Sequence, residues 1–502
     1  MSGHKGNSSM LAIAASCTLL MISACGGEDQ TQAYDSQAAA LGERVAQIAS
    51  TSLEFDSDDE RYALLVEDRV SDQARMDSDL SLYSDPLESG GLSIATDSFL
   101  VAAAPNVSAA SSMNATSGHE KPRIAALMLG GLWTPERRQA AARHKFVITS
   151  LPYGSATTGQ SWINEIRAVN PSIKLAAYSN AVEADLTPEV KRSTYEIDLA
   201  VIANNWWLYT AAGARVQWTT AYDSHVVNLT RWGATDASGR RFTEWLGDYV
   251  AASRAKYVGL DYVYLDNVWY TPRPYKGNFD FKRTGTDQYA MSPEIQAAWR
   301  QGTVDVISRL RERLPGVKVI GNADNDLNFP EYQGKLDGSF FECAFGKSWS
   351  ILNRLGWARM MAEYRSQLAN TSSKRDTVMQ GCALNGVDLP MLRFGLASAL
   401  LEDGWFAYTV SGETAPFWAD EYGAELGSPA EPPPIAPSTS GIWLRKYTNG
   451  MVLVNPGTSA ASINVGAGYR RLSGTQDTAV NNGMPISTVT LEPRRGLVLI
   501  KQ

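Results

Sequence analysis

Residues 262–270 read YVYLDNVWY. An apolar and aromatic run closes on one carboxylate, Asp266, then Asn267, and at once shows two more rings, Trp269 and Tyr270. A strand buried along its length that ends on polar groups suits a parallel sheet whose strand ends open on a site. The chain repeats the pattern, with runs at 123–131, 145–154, 173–181, 259–269, 317–325, 338–346, 376–384 and 404–410. Stretches with apolar residues near helical spacing lie between most of them, as at 292–314 and 389–402. Strands alternating with helices imply a parallel sheet with right-handed crossovers, and eight such units predict a (β/α)8 barrel over 121–427. A Rossmann sheet would want G-x-G-x-x-G after its first strand, and LGGLWTPERR at 129–138 lacks that spacing.

In a barrel the C-terminal ends of the strands converge on one face. Reading each run to its end collects Trp133, Tyr153, Tyr178 and Asn180, Asp266 and Asn267, Asn322 and Asp324, Glu342, Gln380 and Tyr408. Trp269 and Tyr270 join them as a substrate-facing rim. This cup of carboxylates, amides and rings contains no histidine and no cysteine nucleophile, and it suits sugar hydrolysis better than acyl or hydride transfer. Glycoside cleavage needs two carboxyl groups, one to protonate the leaving oxygen and one to attack or to activate water. Asp266 and Glu342 are the expected pair. Glu342 lies in SFFECAF, where apolar surroundings should raise its pKa and make it the general acid, leaving Asp266 as nucleophile. Asp324 is the rival for either role, or a ligand of a substrate hydroxyl, whereas Asp261 at the start of its strand reads as structural.

Other chemistries lack their parts. The chain has neither a G-x-S-x-G elbow nor a G-x-x-x-x-G-K-[ST] loop, and no C-x-x-C or H-E-x-x-H zinc spacing. No loop has EF-hand spacing either, so no metal and no cofactor are expected. A net charge of −8 without a Lys/Arg stripe argues against nucleic acid. The 14 Trp and 21 Tyr instead offer flat apolar faces with polar handles, which suit sugar rings.

Residues 1–25 read as an export signal: Lys5 in a polar start, the apolar run MLAIAASCTLLMI at 10–22, and ISAC at 22–25. That run is too short to span a bilayer, which takes about 20 apolar residues. ISAC resembles a bacterial lipobox, so Cys25 is the expected lipidation site and the membrane a partner through that anchor; a plain secretory signal is the alternative. Gly26 after the cysteine, by analogy with proteobacterial sorting, favours the outer membrane. Residues 26–120 are rich in Ala, Ser, Asp and Gln and poor in aromatics, as expected of a tether. A β-hairpin insertion near 205–240 carries Trp206, Trp207 and Trp218, either lining a groove or packing on the barrel. SPAEPPPIAPSTS marks a linker at 428–440. Alternating patterns after it, with a turn at Asn449-Gly450, predict a small antiparallel β-sandwich over 441–502. Cys343 and Cys382 fall on neighbouring strands, an awkward place for a disulfide, so a bridge and two buried thiols both stay open.

YLDNVW on the fourth strand, FFECAFG on the sixth, RFGLASALLEDGWFAY, FWADEYGAELGSP and GIWLRKYTNGMVLVNP together resemble the hypothetical glycosyl-hydrolase-like family fifteen, unrelated to glucoamylase. The resemblance covers about residues 122–500. It implies a (β/α)8 barrel with a C-terminal β-domain and, by likeness to α-galactosidase-type clans, a nucleophile on the fourth strand, an acid/base on the sixth, and retention of configuration. The expected protein is a monomeric, exported glycosidase acting on a poly- or oligosaccharide. The alternative is a non-catalytic carbohydrate-binding lipoprotein of the cell envelope.

Overall fold

The computed structural model describes residues 120–502 except 130, 131, 133, 152–155, 189–193, 218–223, 275, 276, 324–328, 348, 349, 412 and 414. Cys25, Trp133, Tyr153, Trp218 and Asp324 therefore lie outside the described residues. Eight parallel strands close into a barrel: β1 (Ile124–Met128), β2 (Phe146–Thr149), β3 (Lys174–Asn180), β4 (Tyr262–Asp266), β5 (Lys318–Gly321), β6 (Gly338–Phe345), β7 (Val378–Ala383) and β8 (Trp405–Val410). Each pairs with the next in sequence, and β1 closes the ring against β8. The expected barrel is thus the observed one.

Among the described residues seven helices accompany the strands: α1 (Pro135–Ala142), α2 (Ala156–Val169), α3 (Tyr195–Asn204), α4 (Phe242–Ala255), α5 (Pro293–Arg313), α6 (Ile351–Asn370) and α7 (Leu389–Leu400). The periodic stretches at 292–314 and 389–402 became α5 and α7. Asp388 starts α7 by accepting from the Met391 N–H at 2.9 Å. Among the described residues none of these helices is long and apolar enough to cross a membrane.

The barrel is a packed core. Phe146, Ile148, Ala176, Tyr264, Ile320, Phe340, Val378 and Ala407 fill its interior. Its N-terminal end is sealed by a polar knot around Asp376, which is buried. Asp376 accepts from Tyr262 Oη at 2.7 Å, Lys174 Nζ at 2.8 Å and Trp405 Nε1 at 3.1 Å, with Arg123 at 3.6 Å. Burial alone would raise the Asp376 pKa, but Lys174, Tyr262 and Trp405 outweigh it and hold the carboxyl below its ordinary value.

The bridge left open by the sequence is formed: Cys343 of β6 and Cys382 of β7 are disulfide-bonded, with Cα atoms 5.1 Å apart. A regular pair of parallel strands would make this awkward, and β6 is not regular. Phe341 pairs with Met379 and Phe345 with Gly381, so β6 spends four residues where β7 spends two. The resulting bulge carries Glu342 and Cys343, and Cys343 takes a positive φ of 38°.

The insertion near 205–240 forms isolated bridges, Trp207 to Val227, Tyr209 to Arg215 and Gln217 to His225. A two-stranded ribbon, Glu183–Asp185 with Ser224–Val226, ties it to the end of β3. Trp206 and Trp207 are each 1% exposed, so they pack the insertion onto the barrel and line no groove.

The C-terminal sheet comprises β9 (Trp443–Tyr447), β10 (Gly450–Asn455), β11 (Ala461–Arg471), β12 (Pro485–Leu491) and β13 (Arg495–Lys501), in the order β9-β10-β13-β11-β12. Its two layers belong to one hydrogen-bonded sheet. β11 shifts register between Asn464 and Tyr469, where Gly466 and Gly468 take positive φ, and the β11–β12 hairpin bends back. Val489 and Leu491 then share a core with Met451, Leu453, Leu497 and Leu499. Val452, Val454 and Val498, on the other face, pack with Phe394 and Leu401 of the barrel side. The tight turn is Thr448-Asn449, one residue before the expected place, because Tyr447 pairs directly with Gly450. Gly450 belongs to the strand for a steric reason: a Cβ there would stand 2.3 Å from the Leu499 carbonyl oxygen.

Two outcomes follow for stability. Asp376→Ala strands the Lys174 and Arg123 cations and the Tyr262 hydroxyl, and should cost about 3 kcal/mol by chemical denaturation. The Asp376 contribution is present above the usual carboxylate range and fades as pH falls through its lowered pKa, so wild type and variant should converge in strong acid. Equal destabilisation at every pH would show that the charge is not what matters. Replacing both Cys343 and Cys382 by Ser opens a link spanning 39 residues and should cost about 2–4 kcal/mol; an unchanged unfolding midpoint would contradict this.

Candidate active site

The strand ends bring together a compact polar cluster. β3 and β4 run in register so that Asn180 lies opposite Asp266 and Tyr178 opposite Tyr264. Tyr178 and Tyr264 stack at 5.7 Å, and both hydroxyls turn to the Asp266 carboxyl. Tyr178 donates to Oδ2 at 2.8 Å and Tyr264 to Oδ1 at 3.4 Å. The Asn267 main-chain N–H donates to Oδ1 at 2.9 Å, from a residue whose φ of 58° is left-handed, a conformation Asn tolerates well. Asn322, just past β5, completes the set by donating to Oδ1 at 3.0 Å.

The same Asn322 nitrogen donates to Glu342 Oε2 at 2.7 Å. Contacts of 3.0 and 2.7 Å to one nitrogen hold the Asp266 and Glu342 oxygens within about 6 Å of each other. Asn322 itself is buried, at 2% exposure, while Asp266 and Glu342 are half-buried and face the barrel mouth. Burial raises the Asp266 pKa, and the donors from Asn322, Tyr178, Asn267 and Tyr264 oppose that rise. The four donors favour the charged form of this carboxyl, while burial, the larger effect, leaves its pKa above the ordinary value.

The other residues read at strand ends divide by their partners. Asn180 donates to Glu183 Oε1 at 2.7 Å and accepts from the Val182 N–H at 3.1 Å. Asn267 reaches the same Glu183 oxygen at 3.4 Å through its side chain. Gln380 is buried and braces the β6 bulge, accepting from the Cys343 N–H at 3.2 Å and donating to Thr409 Oγ1 at 2.7 Å. The Tyr408 hydroxyl bonds to the Asp388 main chain, accepting from its N–H at 2.8 Å. Trp269 and Tyr270 are half-buried on the rim. Arg273 lies over the Trp269 ring at 3.6 Å, and Tyr270 stacks on Phe329 at 5.0 Å. Asp261 sits at the opposite end of β4, accepting from Arg167 and from the Leu175 N–H, both at 2.8 Å.

Sequence reasoning passed over Glu183. It is buried, three residues beyond the end of β3, on the ribbon that pairs Glu183 with Val226. Its signal was present in SNAVEAD at 179–185, but the reading of that run stopped at residue 181. Burial pushes the Glu183 carboxyl up to about 7, helped by the Asp266 charge and opposed by Asn180 and Ser224. Among the described residues no group of three or more His, Cys, Asp or Glu is placed to hold a metal ion.

Comparison with known proteins bears on this geometry. No curated protein matches the sequence. The glycoside hydrolase domain of PelA from Pseudomonas aeruginosa is similar at 14% identity and a TM-score of 0.37, over 58% of this chain and 95% of that one. The endoplasmic-reticulum glucosidase II complex is similar at 11% identity and a TM-score of 0.41, over 76% of this chain and 45% of that one. An α-amylase from Geobacillus thermoleovorans follows at 6% identity and a TM-score of 0.38, over 72% and 89%. A family model described as hypothetical glycosyl hydrolase family 15 matches residues 167–451, which span β3 to β9 and both half-buried carboxyls. That match covers more than half of the chain, and the protein belongs to hypothetical glycosyl hydrolase family 15.

Proposed function

We propose that the protein is a retaining glycoside hydrolase of a poly- or oligosaccharide, with Asp266 as nucleophile and Glu342 as acid/base. The observation that carries this reading is the single Asn322 amide shared by the two carboxyls. Retaining pairs stand about 5–5.5 Å apart and inverting pairs about 6.5–9.5 Å, because an inverting enzyme must fit a water between acid and base. Two oxygens held to one nitrogen favour the shorter class. A wide separation would have favoured a binding protein, and the spacing gives that reading no support.

The roles follow from the hydrogen bonds. Asp266 Oδ1 takes three donors and Oδ2 takes one, so Oδ2 is the oxygen better able to attack an anomeric carbon. As that bond forms, Glu342 gives its proton to the glycosidic oxygen and the carbon–oxygen bond breaks, leaving a glycosyl ester on Asp266. Glu342, now a carboxylate stabilised by Asn322, takes a proton from water. The hydroxide attacks the same carbon and frees Asp266. Trp269 and Tyr270 on the rim would bound the sugar. The same reading carries the enzyme out of the cytoplasm on its export signal, with a diacylglyceryl anchor on Cys25 at the cell envelope.

Glu342→Gln should lower kcat on a natural glycan by about 10²–10⁴-fold, yet spare most of the first step on an aryl glycoside whose phenolate leaves without a proton. Asp266→Asn should lose both substrates. Hydrolysis by the double variant at the wild-type rate would exclude these roles. For the anchor, Cys25→Ser should abolish incorporation of labelled palmitate into the expressed protein; label retained in that variant would refute lipidation there.

A further inference from the structure

We infer that Glu183 is a positioning residue of this site, setting the Asp266 carboxylate through Asn267. The inference rests on the proposed role of Asp266 and explains what surrounds it. Glu183 has no place in the chemistry above, yet it is buried at the mouth of the barrel on a ribbon that exists only where the insertion folds back. Its Oε1 accepts from both Asn180 and Asn267, the residues flanking Asp266 across and along the strands. Asn267 is therefore gripped at its side chain while its main-chain N–H points at Asp266 Oδ1. A left-handed residue held in this way cannot rotate its peptide without breaking one bond or the other.

The second oxygen of Glu183 explains the chemistry of the pair. Oε2 is buried beside Ser224 without a well-formed hydrogen bond. Among the described residues Glu183 also has no Lys or Arg partner. A buried, unpaired carboxylate oxygen is costly, and a proton on Oε2 removes that cost. The groups that face Glu183 reinforce this. Asp266 approaches from β4 and Asp198 from α3, both acidic. Ser224 lies on the paired strand, His225 is the next residue of that strand, opposite Ala184, and Asn180 comes from β3. Burial and the Asp266 charge thus place the Glu183 proton near pH 7. While Glu183 keeps that proton, Asp266 meets a neutral neighbour and stays a carboxylate. Once Glu183 ionises, two like charges share the pocket and each disfavours the other.

The test is a carboxyl 13C NMR titration of the full chain labelled at Asp Cγ and Glu Cδ, in wild type, Glu183→Gln and Asp266→Asn. Wild type should show one Glu carboxyl titrating near 7, and Glu183→Gln should lose it. In Glu183→Gln, which keeps the Oε1 acceptor, the main Asp266 step should stay in place, because Asp266 ionises while Glu183 still holds its proton. Asp266→Asn removes the charge that Glu183 meets as it ionises, so the Glu183 step should move to lower pH. A step near 7 that persists in Glu183→Gln, or a Glu183 step that does not move in Asp266→Asn, overturns the inference and leaves Glu183 a structural residue. Should Glu183→Gln fail to fold, an unmoved Glu183 step in Asp266→Asn overturns it equally. No substrate enters the experiment, so a failure to cleave any glycan bears on the proposed activity and not on this result.

Discussion

One side-chain amide, that of Asn322, donates a hydrogen bond to each of two carboxyls on neighbouring elements of the barrel, and the rest of the site is arranged around that constraint. Both hydrogens of the amide are used, so the pair cannot drift apart without losing a charge-assisted bond at one end. The barrel makes this possible by placing β4, β5 and β6 side by side, with Asn322 at the end of the middle strand. On the β4 side, Tyr178, Tyr264 and the Asn267 N–H fix Asp266. On the β6 side, a two-residue excess, a disulfide and the Gln380 brace fix the bulge that presents Glu342.

These supports differ in kind. Asp266 is held by donors, which favour its charged form and limit the rise that burial gives its pKa. Glu342 is held through its backbone: Cys343 is tied to Cys382 by a covalent bond, and its N–H and carbonyl are taken by Gln380 and by Ser350 Oγ at 2.6 Å. Under the roles proposed above, a nucleophile gains from a fixed electrostatic surrounding and an acid/base from a fixed position. The opposite end of the barrel spends its polar groups on closure, with Asp376 and its partners sealing the core. Chemistry and stability are thus separated along the strands.

The eight strands were legible because each run was apolar along its length and ended in polar residues, a pattern that parallel strands impose. Asp266, Asn322 and Glu342 were legible for the same reason, since position at a strand end is readable without coordinates. Which way a strand-end side chain turns was not. Gln380 and Tyr408 met the same criterion, yet they serve the β6 bulge and the Asp388 main chain. The bulge itself was hidden, because FFECAFG is apolar but for Glu342 and shows no sign of a register shift, and with it the disulfide that the bulge allows. Glu183 stood in plain view in SNAVEAD, but what turns it back to the site is a long-range pairing with residues 224–226, which no local pattern announces. Trp206 and Trp207 left open whether the insertion lines a groove or packs on the barrel, because ring-rich sequence is the same in both, and their burial decides for packing.

The central claim is that two carboxyls bound to one amide perform double displacement. Time-resolved 1H NMR of a glycan during hydrolysis by the full chain reads the configuration of the first-formed reducing end before mutarotation. The account predicts product with the configuration of the bond that was cut. First-formed product of inverted configuration would contradict it, because inversion requires a water between carboxyls set farther apart than Asn322 allows.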